Sequence, residues 1–202
     1  MCIRDRIYCE AAPRGRAQGR DNDTRAYAID LVPHLEHHGD SDRKDNMKGN
    51  AKLLVVLNQL LADELTAINQ YMVHSEMCDN WGYGKLHKAI EGQAVDEMHH
   101  AEWLIRRILF LQGTPTVSNL NAIHIGSAIV DIISGDEEAE VAAVTAYNNA
   151  IALAREVKDQ ATADLLTKIL AMEEAHVEWA EVQRAQIEQM GLQGYLANQA
   201  AD

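Results

Sequence analysis

The chain has 202 residues, with 18 lysine and arginine against 31 aspartate and glutamate, a formal net charge of −13 with histidines neutral. So acidic a balance offers no basic footprint for a phosphate backbone, which excludes nucleic acid as a partner held by summed charge. Apolar residues make up 47%, ordinary for a globular core, and 3 Trp, 6 Tyr, 1 Phe and 3 Pro in 202 residues favour helices.

Residues 1–46 carry 8 basic and 9 acidic residues, include Pro13 and Pro33, and show no sustained period. They read as a disordered or artefactual N-terminal extension. No apolar run has the length of a secretory signal, and Asp5, Glu10, Asp21 and Asp23, interleaved with Arg4, Arg6, Arg14, Arg16 and Arg20, argue against a transit peptide. The opening Met1-Cys2-Ile3-Arg4-Asp5-Arg6 resembles a translated sequencing-adapter remnant, with Met47 as the alternative start. His34, His37 and His38 read as solvated side chains of a polar tail. Residues 47–202 form one domain with the single Pro115 and a net charge of 10 − 22 = −12. The cysteines, Cys2, Cys9 and Cys78, imply no disulfide framework, so a reducing cytoplasm is expected. No stretch approaches 18 uncharged apolar residues, so no membrane span is expected.

Within the domain, apolar residues recur at helical spacing in four segments, each roughly 40 Å long at 1.5 Å per residue. The first runs from Lys52 to Trp81, with an inward stripe through Leu53, Leu57, Leu60, Ala67, Ile68 and Tyr71. After Trp81-Gly82-Tyr83-Gly84 the second runs to Gln112 through Leu86, Ile90, Leu104, Ile108 and Leu111. The third spans Ser127 to Val157 and the fourth Gln160 to Met190, with a short fifth piece, Tyr195 to Gln199, after Gly191 and Gly194. Two connections are short and join antiparallel neighbours. The one after Gly113-Thr114-Pro115 is long enough to travel the length of the bundle. The expected fold is an all-α four-helix bundle with one long crossover and a short fifth C-terminal helix.

An internal repeat carries the chemistry. Glu64 precedes Glu97 by 33 residues and Glu140 precedes Glu173 by the same 33, and His100 and His176 each follow their glutamate by three. Every member is displaced by 76: Glu64 to Tyr71 matches Glu140 to Tyr147 as E-x-x-A-x-x-x-Y, and Glu97 to Trp103 matches Glu173 to Trp179 as E-x-x-H-x-E-W. Residues at i and i+3 share a helix face, so each Glu-x-x-His presents a carboxylate and an imidazole together, in phase with the apolar stripes. Four carboxylates in an apolar core are costly unless compensated, and two divalent cations cancel their charge. Carboxylate with imidazole suits iron or manganese better than thiolate-preferring zinc. A dinuclear metal site on Glu64, Glu97, His100, Glu140, Glu173 and His176 follows.

Residues 47–202 resemble the bacterioferritins, through Met47-Lys48-Gly49, Asn69-Gln70-Tyr71, Asp96-Glu97-Met98-His99-His100-Ala101, Arg107-Ile108-Leu109-Phe110-Leu111 and Met190-Gly191-Leu192-Gln193. The resemblance implies a ferritin-like fold in which Glu64 and His100 are terminal ligands of one iron, Glu140 and His176 of the other, with Glu97 and Glu173 bridging. It implies a homo-oligomer of 24 subunits built from two-fold dimers, oxidation of Fe(II) by dioxygen or peroxide, and storage of ferric mineral in the shell. A ferredoxin-type reductant for iron release would be a further partner. Two irons about 3.5–4 Å apart can each give up one electron while bridging carboxylates hold the ferric pair.

Tyr71 lies on the face of Glu64, placed to hydrogen-bond a ligand, to supply an electron, or to pack with its hydroxyl satisfied. Trp103 and Trp179, six residues beyond their glutamates, read as core, with a redox role near the metals as the alternative. Met98 is about 130° around its helix from the metal face and points outward, where Leu65, Ile68, Met72 and Val95 are expected to form one apolar patch with it. By resemblance, Met98 of two subunits would ligate a haem b shared across the dimer. Gly92 departs from the family, which often places a metal-binding histidine at this position; Asp96 remains as an inner-surface carboxylate. A non-storage di-iron or di-manganese oxidase or peroxide scavenger, and a haem-bearing electron-transfer shell, are the alternative functions.

Overall fold

A computed structural model describes residues 48–200. The readings of the N-terminal extension, of Cys2 and Cys9, of His34, His37 and His38, and of the Met47 start lie outside the described residues.

Four helices follow in order: α1 (Ala51–Asn80), α2 (Gly84–Phe110), α3 (Ile129–Glu156) and α4 (Gln160–Gln199). α1 begins where Asn50 Oδ1 accepts from the amides of Lys52 and Leu53 at 2.9 and 3.2 Å, satisfying two of the donors that a helix start leaves free. It buries Leu53, Leu57, Leu60 and Leu61 at helical spacing. Its end is the predicted breaker: Gly82 takes φ +83°, a region glycine enters without a Cβ clash. α4 is broken at Gly191, with φ +70° and ψ 151°, and residues 192–199 continue as the short terminal helix. That piece starts three residues earlier than the sequence reading placed it, because Gly191 alone makes the break and Gly194 is helical.

α1 packs on α2 and on α3, and α4 packs on α3 and α2. The crossover, residues 111–128, runs alongside α1 in the same direction. Thr116 N–H donates to Asn58 Oδ1 (2.7 Å), Asn121 N–H to Thr66 Oγ1 (2.9 Å), His124 N–H to Gln70 Oε1 (3.0 Å) and Gly126 N–H to His74 Nε2 (3.1 Å). Positions 66, 70 and 74 are one turn apart, so a single row of polar side chains satisfies the amides of a connection that has no regular structure. At its end Gly126 lies against the next helix so closely that a Cβ would meet the amide nitrogen of Ile132 at 2.7 Å.

The interior falls into two apolar clusters. One contains Leu57, Leu60, Leu104, Ile108, Tyr147, Leu166 and Ile169. The other contains Tyr71, Cys78, Leu86, Ile90, Ile132, Ile133 and Tyr195. Trp103 and Trp179 are half-buried and pack one against each cluster, as the core reading expected. Among the described residues no helix is long and apolar enough to cross a membrane.

Candidate metal centre

Glu64 comes from α1, Glu97 and His100 from α2, Glu140 from α3, and Glu173 and His176 from α4. All six are buried, the four glutamates at 1–3% exposure. The structure brings together every residue the repeat singled out. Glu64, Glu97, His100 and Glu173 offer ligand atoms all within 4.8 Å of one another; Glu97, Glu140, Glu173 and His176 do the same. The two groups share Glu97 and Glu173.

Glu97 is divided between the halves. Its Oε2 lies 2.8 Å from His100 Nδ1, and its Oε1 lies 3.0 Å from His176 Nδ1. His100 Nδ1 also lies 3.4 Å from Glu64 Oε2 and 3.0 Å from Glu173 Oε1, and His176 Nδ1 lies 3.5 Å from Glu140 Oε1. Among the described residues, the buried side-chain nitrogen and oxygen atoms left without a hydrogen bond are Glu97 Oε1, Glu173 Oε1 and His176 Nδ1. Buried polar atoms are normally paired, and an unpaired one costs about 1–3 kcal/mol. Here the exceptions all converge on one point, which is what a ligand set looks like when its lone pairs are kept for a cation. The donors are four carboxylates and two imidazoles, a set that fits a pair of iron or manganese ions.

Protons balance the cluster when no cation does. Burial drives the Glu64 carboxyl well above its usual range, and burial likewise pushes Glu140 up to about 8. Burial opposes a charge on the imidazoles, but contact with the carboxylates outweighs it and raises His100 to about 12 and His176 to about 11. For Glu97, burial is overcome by the His100 and His176 rings that lie against its two oxygens, and its carboxyl falls to about 2. The cluster attracts positive charge from whatever source supplies it.

Two tyrosines complete the site. Tyr71 O–H donates to Glu140 Oε1 at 2.5 Å, and Tyr147 O–H donates to Glu64 Oε1. Tyr71 is packed in the second cluster with its hydroxyl satisfied by a candidate ligand carboxylate, so the packed and the ligand-bonding alternatives coincide. Tyr147 was not singled out as a site residue, although the repeat pairs it with Tyr71. Burial, followed by the charge of the carboxylate each one faces, raises both phenols well above their usual range, so both remain donors.

A cavity of about 480 Å³ reaches Glu64, Glu97, Glu140 and Glu173 from the crossover side, past Asn121 and His124. A polar network missed from sequence frames this face. Buried Asp136 accepts from His74 Nδ1 at 3.0 Å and from Gln70 Nε2 at 2.9 Å, while His74 Nε2 accepts from Gly126. The ring is therefore the neutral Nδ1–H tautomer.

Away from the metal face, Met98 is 51% exposed, with Met72 and Val95 also exposed. Leu65 and Ile68 are partly buried and pack against the first core cluster, which removes them from the expected outer patch and leaves Ile68 in the inward stripe where the helical spacing also put it. Gly92 is exposed, and a Cβ there would meet nothing within 4 Å.

The ferritin-like domain family matches residues 55–190. A bacterial ferritin of Synechocystis sp. is 40% identical over 154 residues, covering 76% of this chain and 99% of that protein. A bacterioferritin of Mycolicibacterium paratuberculosis is 38% identical over 151 residues, 75% of this chain and 95% of that protein. A bacterial ferritin of Paramagnetospirillum magnetotacticum is 39% identical over 158 residues, 77% of this chain and 96% of that protein.

Proposed function

The chain belongs to the ferritin-like family, with bacterioferritins among its relatives, and from that premise we propose that it oxidises Fe(II) and stores the ferric product. The observation that carries this reading is the pair of four-residue groups sharing Glu97 and Glu173. Two iron ions held there as substrate would each give one electron to dioxygen or peroxide.

Each residue has a distinct part. Glu64 with His100, and Glu140 with His176, hold one ion each; Glu97 and Glu173 span both. Tyr147 and Tyr71 each hold one oxygen of a terminal carboxylate, Glu64 and Glu140, and so fix its orientation. The apolar clusters on either side keep bulk water out, and the cavity lined by Asn121 and His124 gives Fe(II) and oxidant a route in. Storage requires a closed shell, which we assign to 24 subunits assembled from two-fold dimers in the cytoplasm. Met98, exposed beside Met72 and Val95, supplies a thioether suited to a haem b shared between the two subunits of a dimer. A haem held by Met98 would supply one-electron chemistry at the dimer interface, and a ferredoxin-type reductant would be the partner for iron release.

The test is aerobic addition of Fe(II) to purified protein with ferric absorbance followed in time. The parent oxidises iron rapidly, and Glu97→Ala, which removes a ligand from both halves, loses that phase. Equal rates in the two would overturn the site. Sizing tests the other half of the reading: a dimer-sized particle refutes storage and leaves a non-storing oxidase.

A further inference from the structure

The 76-residue displacement makes Asp96 and Met172 equivalent, each standing one residue before the glutamate of its Glu-x-x-His. Each also reaches across to the histidine of the other motif. Asp96 Oδ2 lies 3.5 Å from His176 Nε2, and Met172 Sδ lies 3.4 Å from His100 Nε2. The two contacts correspond in position and differ in chemistry: one outer nitrogen faces a carboxylate and the other a thioether.

Both imidazoles turn Nδ1 into the carboxylate cluster, so Nε2 is the nitrogen that carries the proton when Nδ1 binds a cation. A carboxylate accepts that N–H strongly, fixes the ring and makes Nδ1 a better donor to metal. A thioether is a weak acceptor and does little of either. The surroundings differ in the same sense. His100 is wholly buried with the Trp103 ring 5.7 Å away, whereas His176 keeps 7% exposure beside an Asp96 that is partly open to solvent.

Building on the metal-centre reading, we infer that Asp96 and Met172 make the two halves of the site unequal. The Glu140/His176 half takes a divalent cation first and more tightly, and the Glu64/His100 half takes one second and more weakly. Asp96 and Met172 are positioning residues, acting through the histidines they touch. Because oxidation draws one electron from each of two irons, the weaker half sets the Fe(II) concentration at which turnover begins.

The experiment is an anaerobic titration of the full chain with Co(II), followed by calorimetry and by the visible absorption of the bound ion. Two ions per subunit should bind in steps separated by about tenfold or more. Asp96→Asn keeps the side-chain shape and removes its charge; it should weaken the tighter step by about 10–100-fold and leave the weaker step near its original affinity, so that the two merge. Met172→Asp should move the weaker step toward the tighter one. A loss of packing would not strengthen binding, so the opposed responses separate positioning from a structural role. One common affinity for both ions in the parent, an equal shift of both steps in Asp96→Asn, or an unmoved weaker step in Met172→Asp would overturn the inequality alone. A parent that takes up no Co(II), or uptake unaffected by Glu97→Ala, would overturn the metal centre itself.

Discussion

Tyr71 donates its hydroxyl to Glu140 across the interface between α1 and α3, and the bond is returned: Tyr147 on α3 donates to Glu64 on α1. Each tyrosine belongs to a different apolar cluster, so the terminal carboxylates are anchored from opposite sides of the site. Partners that orient a metal ligand are typically worth 10–100-fold in affinity or activity. Tyr71→Phe and Tyr147→Phe should therefore each slow the first phase of Fe(II) oxidation by about 10–100-fold, and by similar amounts, since the bonds are related by the repeat. Stopped-flow absorbance checks this. A slow Tyr71→Phe beside an unaffected Tyr147→Phe would show that Tyr71 supplies an electron and that orientation contributes little.

The six candidate ligands were legible because their signal is local and doubled. An i, i+3 pair on one face is visible in any window, and the 76-residue displacement supplies an internal control. Tyr147 was legible in the same repeat, as the image of Tyr71. Asp136 and His74 were not legible, because polar residues in an inward phase make sense only with their partners, and those lie more than 50 residues away, His74 on α1 facing Asp136 on α3 and Gly126 on the crossover. Leu65 was misread, and Ile68 was placed both in the inward stripe and in the outer patch, for a related reason: the angle around one helix does not say how much of that face a neighbour covers. The break at Gly191 rather than Gly194 depended on which glycine takes a positive φ, a choice settled by the docking of Tyr195 into the core.

Asp159 predicts an acid-dependent loss of stability. At the start of α4 it accepts from Thr162 N–H at 3.1 Å and Thr162 O–H at 2.7 Å, and Arg107 from the end of α2 donates to it at 2.6 Å. Burial alone would raise its carboxyl, but the Thr162 hydroxyl and amide, then Arg107, hold it below the ordinary value of 3.8. A carboxyl lowered in the folded state contributes stability that is present above its unfolded value and lost as the pH falls through its folded value. Asp159→Asn keeps a capping oxygen and removes the charge, so it should cost about 1 kcal/mol at neutral pH. Thermal melts of parent and variant should converge as the pH drops below the ordinary aspartate range. A gap that stays constant in acid would mean that the carboxylate charge contributes nothing.

Met98 tests whether the outer face carries a haem. Its side chain is half exposed on α2 and takes no part in the carboxylate cluster. Met98→Leu keeps the volume and apolar character of the patch, since leucine and methionine exchange at low cost, while removing the thioether. The Soret band of the purified protein should disappear, with Fe(II) oxidation retained. A band of unchanged intensity would place any haem elsewhere.

Gly92 separates the fold's requirements from those of the site. It lies within α2, five residues before Glu97, with an ordinary negative φ and no atom within 4 Å of where a Cβ would stand. Nothing in the packing calls for glycine, and a helical glycine costs roughly 0.5–1 kcal/mol relative to alanine through the freedom it has when unfolded. Gly92→Ala should therefore raise stability by about that amount in denaturant titration of the metal-free protein. Its rate of Fe(II) oxidation should match the parent's, because the added methyl group points into open space and the six ligands are untouched. A stabilised variant with slower oxidation would show that the site uses the local freedom of this glycine, since no steric contact is available to explain the loss.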